Sequence, residues 1–473
     1  MPELPEVETV VRLLNRQLAG ATIDHVEWKV PSLLKGNIHT FSSLFHHQTI
    51  TSVTRRAKYI LIHFHHGYTL VSHLRMEGKY REIVDNQSTP SPYAHVLFYL
   101  KDGRRIDYQD VRKFGTFEFI KSENLHQLKS LAQLGPEPFD ITDIHAFHAQ
   151  LSKSSRSIKS ILLDQTFISG LGNIYVDETL FAAFIHPGTQ GKELSLIHVE
   201  SLIKESQRIL KEAIESGGSR IRSYSSGQPM DGQFNLKINV YQKHGTPCPR
   251  CHHRLARTVI AGRGTHFCPR CQHDSYIPFV VGITGSMASG KSTFLQRALS
   301  EGYPVLSADD LVHSLYQKPS IQRQLKHLIH PNVIQNKHVN GSFLLEWLLQ
   351  ASSHVKKLEA WLHPRVINSI VNWLKKQNTI AFVEIPLLFQ SHADAFIDFI
   401  VAIDRPFEER KKTIQSRHPN RRWEPYVLLD EKNMWKQYRP FIDRIIENEG
   451  SLEAFHQRIH DLLQSAIAAS RVE

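Results

Sequence analysis

The N-terminal residues of this 473-residue chain could supply an amine nucleophile. After removal of Met1, Pro2 would carry a free secondary amine, and an α-amino group with a pKa of about 7.7–8.0 is partly neutral near neutral pH. A neutral amine can attack a sugar carbon and form a Schiff base. Glu3, the next residue, could protonate the ring oxygen or move protons. A simple helix start, with glutamates placed against the helix dipole, is the alternative interpretation of Pro2 and Glu3.

The cysteines of the chain form two Cys-x-x-Cys pairs, Cys248 with Cys251 and Cys268 with Cys271. This spacing predicts four thiolates around one structural zinc ion, whose binding contributes to folding. Unmetallated thiols are the alternative. Between the pairs lie arginines that could bind phosphates or form an ordinary solvated face, namely Arg254, Arg257 and Arg263.

A glycine-rich segment in the second half fits the pattern G-x-x-x-x-G-K-[ST] and follows an apolar strand at 280–283. Backbone N–H groups and the helix N-terminus that follows can hold phosphates, with Lys291 reaching the β/γ-phosphates and Ser292 binding Mg²⁺. A fold that has lost its activity is the alternative. The predicted ATP-binding residues are Gly285, Ser286, Met287, Ala288, Ser289, Gly290, Lys291, Ser292 and Thr293.

Composition and charge limit the class of protein. The chain is 41% apolar and 22% charged, which is close to the globular average and argues against disordered and fibrous proteins. The net charge of +11 is consistent with a polyanionic partner. No run of about 20 apolar residues is present, and the first residues lack the pattern of a secretory signal. We therefore expect a cytoplasmic protein that does not contact membranes.

The elements that must position these residues follow from apolar spacing. Helical periodicity is predicted over 3–18 and again from 122 to about 216, and the apolar segment at 279–284 opens an α/β domain. Residues 22–120 are predicted to be mostly strands separated by turns. The predicted strands are Ile50–Val53, Tyr59–His63, Thr69–Leu74, His95–Leu100 and Thr116–Ile120.

The opening MPELPEVETV, the helical middle and the four-cysteine segment together resemble the formamidopyrimidine-DNA glycosylase family over about residues 1–275. This resemblance implies a bacterial base-excision enzyme that removes 8-oxoguanine and ring-opened purines from damaged double-stranded DNA and cleaves the abasic site as a lyase. It implies Pro2 as the Schiff-base nucleophile and Glu3 as the adjacent acid. It further implies Lys58 in β-elimination, and Arg263 in δ-elimination and phosphate binding.

The same resemblance implies residues that hold the DNA. A base must be flipped out of the duplex to be cut, and wedge residues must fill the gap. The implied wedge is formed by Met76, Arg112 and Phe114 at turns between strands, although packing in the core is the alternative for Met76 and Phe114. The loop at 218–223 resembles the lesion loop of the family. The implied phosphate and pocket contacts are His95, Arg112, Asn173 and Lys159.

Residues 279 to about 465 resemble dephospho-CoA kinase. The phosphate loop, Ser307-Ala308-Asp309, Leu362-His363-Pro364-Arg365 and the segment 383–389 carry the resemblance. It implies ATP-dependent phosphorylation of the 3′-OH of dephospho-CoA, with Asp309 accepting the hydroxyl proton and helping to hold Mg²⁺. A helix cap is the alternative role for Asp309. The family often has an aspartate at the position of Ser307 and a glutamate at that of Gln390.

We therefore expect a multidomain chain. An α+β glycosylase half would comprise an N-terminal helix and β-sandwich at 1–121, a helix-two-turn-helix domain at 122–233 and a four-cysteine zinc ribbon at 234–275. An α/β P-loop kinase domain with a parallel sheet would occupy 279–473. The expected protein is a bifunctional monomer with one structural zinc that acts on damaged DNA and, with ATP and Mg²⁺, on dephospho-CoA. The alternatives are an active glycosylase with an inactive or differently specific kinase, and a non-catalytic DNA-binding protein.

Overall fold

The computed structural model describes residues 2–85, 87–217, 224–225, 238–274, 277–417 and 435–470. The chain forms two compact units. The first comprises Met1–Gln242 and Val259–Thr265, and the second comprises Lys243–Thr258 and His266–Glu473. All four cysteines lie in the second unit, and Val259–Thr265, between the two Cys-x-x-Cys pairs, belongs to the first. The predicted lesion loop at 218–223 lies outside the described residues.

The first unit begins with an amphipathic helix, α1 (Leu4–Leu18), that packs on a β-sandwich. Its apolar face repeats at helical spacing, which confirms the helix predicted over 3–18. One sheet has the strand order β2-β3-β4-β8 and the other β1-β6-β7-β5-β9. The elements of the sandwich are β1 (Ile23–Trp28), α2 (Ile38–Phe45), β2 (Ile50–Arg56), β3 (Tyr59–Phe64), β4 (Tyr68–His73), β5 (Lys79–Ile83), β6 (Ala94–Leu100), β7 (Arg105–Gln109) and β8 (Thr116–Lys121), with β9 (Tyr224–Ser225) at one edge.

Helices follow the sandwich and enclose a second core. Leu4 of α1 is fully buried in this core, so the N-terminus of the chain is fixed against the helices. A large part of the core is formed by the two longest of them, which contact each other along their buried faces. The helices are α3 (Lys129–Ala132), α4 (Ile144–Leu151), α5 (Ile158–Leu162), α6 (Asn173–Ala182) and α7 (Leu196–Glu215).

The second unit contains a five-stranded sheet with the order β13-β16-β12-β17-β18. Every strand pairing in this sheet is parallel, which confirms the predicted α/β kinase fold. The hairpin of β10 (Ala256–Ile260) and β11 (Arg263–Phe267) precedes the sheet. The strands are β12 (Val280–Gly285), β13 (Val305–Ser307), β16 (Ala381–Glu384), β17 (Phe399–Asp404) and β18 (Arg444–Glu447), with a small pair formed by β14 (Ile334–Gln335) and β15 (His338–Val339).

Helices cover this sheet, and the carboxyl ends of its parallel strands form the edge at which α/β folds bind ligands. β12 lies in the middle of the sheet and its residues are buried, so the loop that follows it starts from a rigid support. No helix among the described residues is both long and apolar enough to span a membrane. The helices are α8 (Lys291–Ser300), α9 (Ala308–Tyr316), α10 (Pro319–Leu328), α11 (Gly341–Gln350), α12 (Ser352–Leu374), α13 (Phe407–Arg417) and α14 (Leu452–Ser470).

Candidate active sites and zinc centre

The carboxylate of Glu3 lies at the N-terminus of α6. It is 3% exposed, and it accepts hydrogen bonds from the backbone N–H of Gly172 at 2.7 Å and of Ile174 at 3.0 Å. Unpaired N–H groups at the start of a helix stabilise a negative charge. A Cβ at position 172 would overlap the carboxyl group of Glu3, so a larger residue there would displace this carboxyl group.

The environment of Glu3 gives it an unusual acidity. Burial raises the pKa of Glu3 to about 7, the charge of Lys58 opposes the rise, and the neighbouring Glu6 adds to it. A carboxyl group with a pKa near the working pH can both donate and accept protons. The geometry therefore fits an acid–base residue beside Pro2, which is itself buried at the start of the chain.

Lys58 lies at the turn between β2 and β3 and points at the same loop. Its Nζ donates to the backbone carbonyl of Leu171 at 2.6 Å, and the residue is 5% exposed. Burial lowers the pKa of Lys58, although the charges of Glu3 and Glu6 counteract this change. Lys58 therefore loses its proton more readily than a surface lysine does. Glu137 fixes the turn by accepting from the backbone N–H of Ala57 at 2.6 Å.

The tip of the β10–β11 hairpin belongs to the same unit as these residues. The carbonyl of Gly264 accepts from Asn173 Nδ2 at 2.9 Å and from Lys159 Nζ at 3.3 Å. Arg263, next to it, is exposed, and its charge contributes to the lowered pKa of Lys58. Lys159 is fully buried and its Nζ donates to Asp177 at 2.6 Å, so this lysine fixes the hairpin tip.

The predicted wedge residues occupy two turns that meet on one tyrosine. Met76 is 39% exposed and Phe114 is 51% exposed, so neither belongs to the core. The guanidinium carbon of Arg112 lies 4.6 Å from the centre of the Phe114 ring. A Cβ at Gly78 or at Gly115 would overlap the hydroxyl of buried Tyr108, so these glycines let both turns approach it.

A buried aspartate shapes the second turn. Asp110 accepts from the backbone N–H groups of Arg112 at 3.0 Å and of Phe114 at 2.8 Å. His95 is only 4% exposed, and its Nε2 donates to the carbonyl of Asp110 at 2.8 Å. His95 therefore supports the turn that carries Arg112, and its contact with phosphate stays a prediction.

Several residues that hold this site together were not predicted from the sequence. Glu6 accepts from the backbone N–H of Glu3 at 2.9 Å and from the hydroxyl of Tyr175 at 2.7 Å. A capping-box pattern, Glu3 with Glu6 three residues later, was the available signal for Glu6. No local pattern marks Glu137 or Asp110, because their partners are brought to them by the tertiary fold.

The four cysteines converge on one point. They lie in residues 248–254 and 268–273, which flank the β10–β11 hairpin and form the hairpin base. Their sulfur atoms all lie within 4.8 Å of one another, with Cys248 Sγ and Cys271 Sγ 3.9 Å apart. Zinc–sulfur bonds of about 2.3 Å in a tetrahedron require sulfur–sulfur distances of about 3.8 Å, so the donor set fits a structural zinc ion. The backbone N–H groups of Arg250 and Cys271 point at the thiolates of Cys248 and Cys268, each at 3.4 Å, as outer-shell donors.

The phosphate loop connects β12 with α8. Gly285 ends the strand, and Lys291, Ser292 and Thr293 begin the helix. Lys291 is 7% exposed, and its Nζ donates to the carbonyls of Gly285 at 3.0 Å and Ser286 at 2.9 Å. Asn448 braces the loop by donating to the carbonyl of Ser289 at 2.7 Å. The loop therefore holds its lysine in place at the start of α8.

Acidic residues lie near this lysine at the ends of β13 and β16. Glu384 Oε1 is 4.0 Å from Lys291 Nζ. Burial raises the pKa of Glu384, Lys291 opposes the rise and Asp309 adds to it, which places the three charges in one cluster. Hydroxyl and carboxylate oxygens are the donors that Mg²⁺ prefers, so Ser292, Asp309 and Glu384 fit this ion. Glu384 was not predicted, although an acidic residue ending an apolar strand was a usable signal.

Asp309 is exposed at the start of α9 and borders an apolar pocket of about 230 Å³. The pocket is lined by residues of α9 and α12 and of the segment after β16, among them Val312, Val366, Ile385 and Pro386. A pocket of this kind beside a carboxylate could hold an acceptor molecule with its hydroxyl directed to Asp309.

Four family models match the chain in the order expected. They are the Formamidopyrimidine-DNA glycosylase N-terminal domain at residues 1–117, the Formamidopyrimidine-DNA glycosylase H2TH domain at 134–225, the zinc finger found in FPG and IleRS at 245–273, and Dephospho-CoA kinase at 279–454.

Known proteins resemble the first part of the chain over their whole length. The formamidopyrimidine-DNA glycosylase of Streptococcus pyogenes is 46% identical over 277 residues, which is 58% of this chain and 98% of that protein. The glycosylase of Halalkalibacterium halodurans is 46% identical over 275 residues, 58% of this chain and 100% of that protein. A solved complex of Lactococcus lactis Fpg with DNA containing an abasic site is 37% identical with a TM-score of 0.55, and it covers 58% of this chain and 100% of its own. The chain therefore belongs to the formamidopyrimidine-DNA glycosylase family and carries a dephospho-CoA kinase domain after the glycosylase half.

Proposed function

We propose that the chain removes 8-oxoguanine and ring-opened purines from double-stranded DNA and cleaves the resulting abasic site. The observation that carries this proposal is the pairing of Glu3 with Gly172 and of Lys58 with Leu171, which brings an acid and a buried amine to one loop. The bound ligands of related solved structures agree, since Lactococcus lactis Fpg was solved with abasic-site DNA and, as a mutant, with DNA containing Fapy-dG.

The proposed chemistry uses the free amine of Pro2. Its nitrogen attacks C1′ of the damaged nucleotide, the bond from C1′ to the base breaks, and Glu3 donates a proton to the opening sugar. Loss of a C2′ proton then expels the 3′ phosphate, and Lys58 is the proposed proton acceptor. Arg263 is the proposed partner of the 5′ phosphate and supports its later elimination.

Residues around this centre are proposed to bind the duplex. Met76, Arg112 and Phe114 would fill the gap left by the flipped base, because they are exposed on turns that share Tyr108. Asn173, at the start of α6, would hold a DNA phosphate, and Lys159 would lie near the lesion pocket; both also hold the hairpin tip.

The experiment for this half is borohydride trapping on a duplex with one 8-oxoguanine. The untagged chain should form a covalent adduct, whereas a chain that keeps residues ahead of Pro2 should form none, because an acylated proline nitrogen cannot attack the sugar. An undiminished adduct from the extended chain would contradict the role of Pro2. Absence of base release from both would favour a non-catalytic DNA-binding protein.

We propose that the second half transfers the γ-phosphoryl group of ATP to the 3′-OH of dephospho-CoA. The cluster of Lys291, Glu384 and Asp309 beside the apolar pocket supports this. Lys291 would place its charge against the β/γ-phosphates, and Asp309 would accept the hydroxyl proton. Bound Mg²⁺ would neutralise phosphate charge, held by Ser292 and the two carboxylates.

A turnover assay with dephospho-CoA, and with adenosine and AMP as control acceptors, tests this half. Formation of CoA alone supports the assignment. ATP consumption that prefers another acceptor would refute dephospho-CoA as the substrate, while the assignment of the phosphate loop would stand.

We further propose that the chain is cytoplasmic, because DNA, ATP and dephospho-CoA share that compartment in bacteria. We also propose that it is a monomer, with domain limits at 1–121, 122–233, 234–275 and 279–473.

A further inference from the structure

Three side chains of the hairpin base contact carboxylates of the kinase domain, and all of these residues belong to the second unit. Arg254 Nη1 lies 2.6 Å from Asp394 Oδ2, and Arg270 Nη2 lies 2.7 Å from Asp443 Oδ1. His273 Nδ1 lies 2.8 Å from an oxygen of Asp398, whose other oxygen accepts from the backbone N–H at the start of β12. The hairpin base is thus joined to the sheet of the kinase by charged contacts.

The partner of Arg254 belongs to a segment that separates two cavities. Ser391 and Ala393 line the apolar pocket of about 230 Å³ beside Asp309. His392 and Asp394 line a second cavity of about 90 Å³, whose other walls include Arg254. Alternate residues of one short segment therefore face the acceptor pocket and the zinc-binding hairpin.

The pair of Arg254 and Asp394 is shielded from water. Their side chains are 12% and 2% exposed, and the guanidinium carbon of Arg254 lies 5.1 Å from the centre of the Tyr438 ring. Removing one member of a buried ion pair leaves an uncompensated charge, which is strongly unfavourable. Without Arg254, the segment that carries Asp394 would move toward water to hydrate its carboxylate.

The position of Arg254 depends in turn on the zinc centre. It lies three residues after Cys251, and Arg270 lies between Cys268 and Cys271. A metal that fixes the four thiolates also fixes the backbone from which both arginines extend. The cysteine-bearing segments are therefore connected to the wall of the acceptor pocket through Arg254 and Asp394.

We propose that Arg254 is a positioning residue for the kinase, and that the zinc-binding hairpin sets the affinity of the acceptor pocket by holding residues 391–394 through Asp394. This inference rests on the proposed kinase function. It assigns the hairpin base a role in the chemistry of the second half, besides the role of its tip at the DNA.

The test measures KM for ATP and KM for dephospho-CoA separately, on the whole chain. Arg254→Met should raise KM for dephospho-CoA about tenfold, while KM for ATP stays unchanged. A tenfold change corresponds to about 1.4 kcal/mol, which is within the range of coupling energies between contacting residues. Arg254→Lys should recover part of the affinity because it keeps a charge for Asp394. The double variant Arg254→Met with Asp394→Asn should also recover, since no buried charge is left unpaired. Arg208→Met, at an exposed arginine paired with Glu205 and Glu212 on α7, is the control.

Hydrogen exchange supplies a readout that does not depend on activity. In Arg254→Met, and in wild type after removal of zinc by a chelator, amides of residues 386–398 should exchange faster while those of α8 stay protected. Unchanged KM for dephospho-CoA together with unchanged exchange at 386–398 would overturn the proposal. Equal rises in both KM values with faster exchange throughout the sheet would also overturn it, by showing general destabilisation. A wild type without turnover would refute the kinase function, and the exchange data would then decide the contact alone.

Discussion

The backbone N–H of Gly172 donates to Oε2 of Glu3 at 2.7 Å across 169 residues of sequence. This contact joins the N-terminus of the chain to the first turn of α6, so the acid of the proposed reaction is held by a helix that also carries Asn173. A reaction that starts at the second residue of the chain requires such an anchor, because a free terminus would sample many positions.

Substitution of Gly172 tests that anchor. Gly172→Ala places a Cβ against the carboxyl group of Glu3, so we expect base release to fall by about 100-fold and the free energy of unfolding by about 1–3 kcal/mol. Single-turnover kinetics and denaturant unfolding measure the two effects. Gly341→Ala is the matched control, because a Cβ there meets nothing within 4 Å. Normal kinetics in Gly172→Ala would show that the carboxylate position is not critical.

The raised pKa of Glu3 predicts a pH dependence of stability. Burial raises this pKa from 4.5 to about 7, so between these values the folded state keeps a proton that the unfolded chain releases. The free energy of unfolding therefore falls as pH rises through this range, by roughly 3 kcal/mol in total. Glu3→Gln should remove this decrease, as measured by denaturant unfolding at intervals from pH 5 to pH 8, while Glu200→Gln at the surface should keep it. A parallel decrease in Glu3→Gln would assign the effect to other groups.

Arg263 at the hairpin tip should contribute one ionic contact to DNA. Arg263→Ala should reduce the slope of log affinity against log salt by about one unit, because one fewer phosphate is neutralised. Fluorescence anisotropy with an abasic-site analogue duplex over a salt series measures the slope. Arg208→Ala, on the surface of α7, should leave the slope unchanged. Equal slopes for wild type and Arg263→Ala would place this arginine away from the DNA backbone.

Lys291 should be required for one activity only. Lys291→Ala should abolish phosphoryl transfer to dephospho-CoA, because this side chain supplies the positive charge at the β/γ-phosphates. Base release from an 8-oxoguanine duplex should stay within about twofold of wild type, since the phosphate loop lies in the other unit. Assays of both activities on the same preparation measure this. Loss of base release as well would indicate that the two halves do not fold independently.

Local patterns predicted much of the fold. Apolar spacing correctly placed α1, and the predicted strands at Tyr59–His63 and His95–Leu100 correspond to β3 and β6. The helix α2 was missed because residues 22–120 were expected to be mostly strands, and its eight residues bury only Phe41 and Phe45, which is too short a pattern to establish helical periodicity.

The site was predictable where chemistry is local. Spacing alone identified the four cysteines and the phosphate loop. The ion pair of Lys159 with Asp177 and that of Arg254 with Asp394 were not predictable, because each joins residues that are distant in sequence or in different elements. Arg254 was expected to bind phosphate or face solvent, and the structure instead buries it against a carboxylate.

The contacts of the hairpin base have a consequence for separating the two halves of the chain. Arg254, Arg270 and His273 keep their aspartate partners only while the kinase domain is attached. A proteolytic cut after residue 274 would uncover two guanidinium groups and an imidazole on the released glycosylase. The same cut would leave Asp394, Asp398 and Asp443 of the released kinase domain without these partners. Asp394 and Asp398 are only 2% exposed, and a buried carboxylate that loses its partner is strongly unfavourable, so the separated kinase domain would be less stable than the same domain in the intact chain.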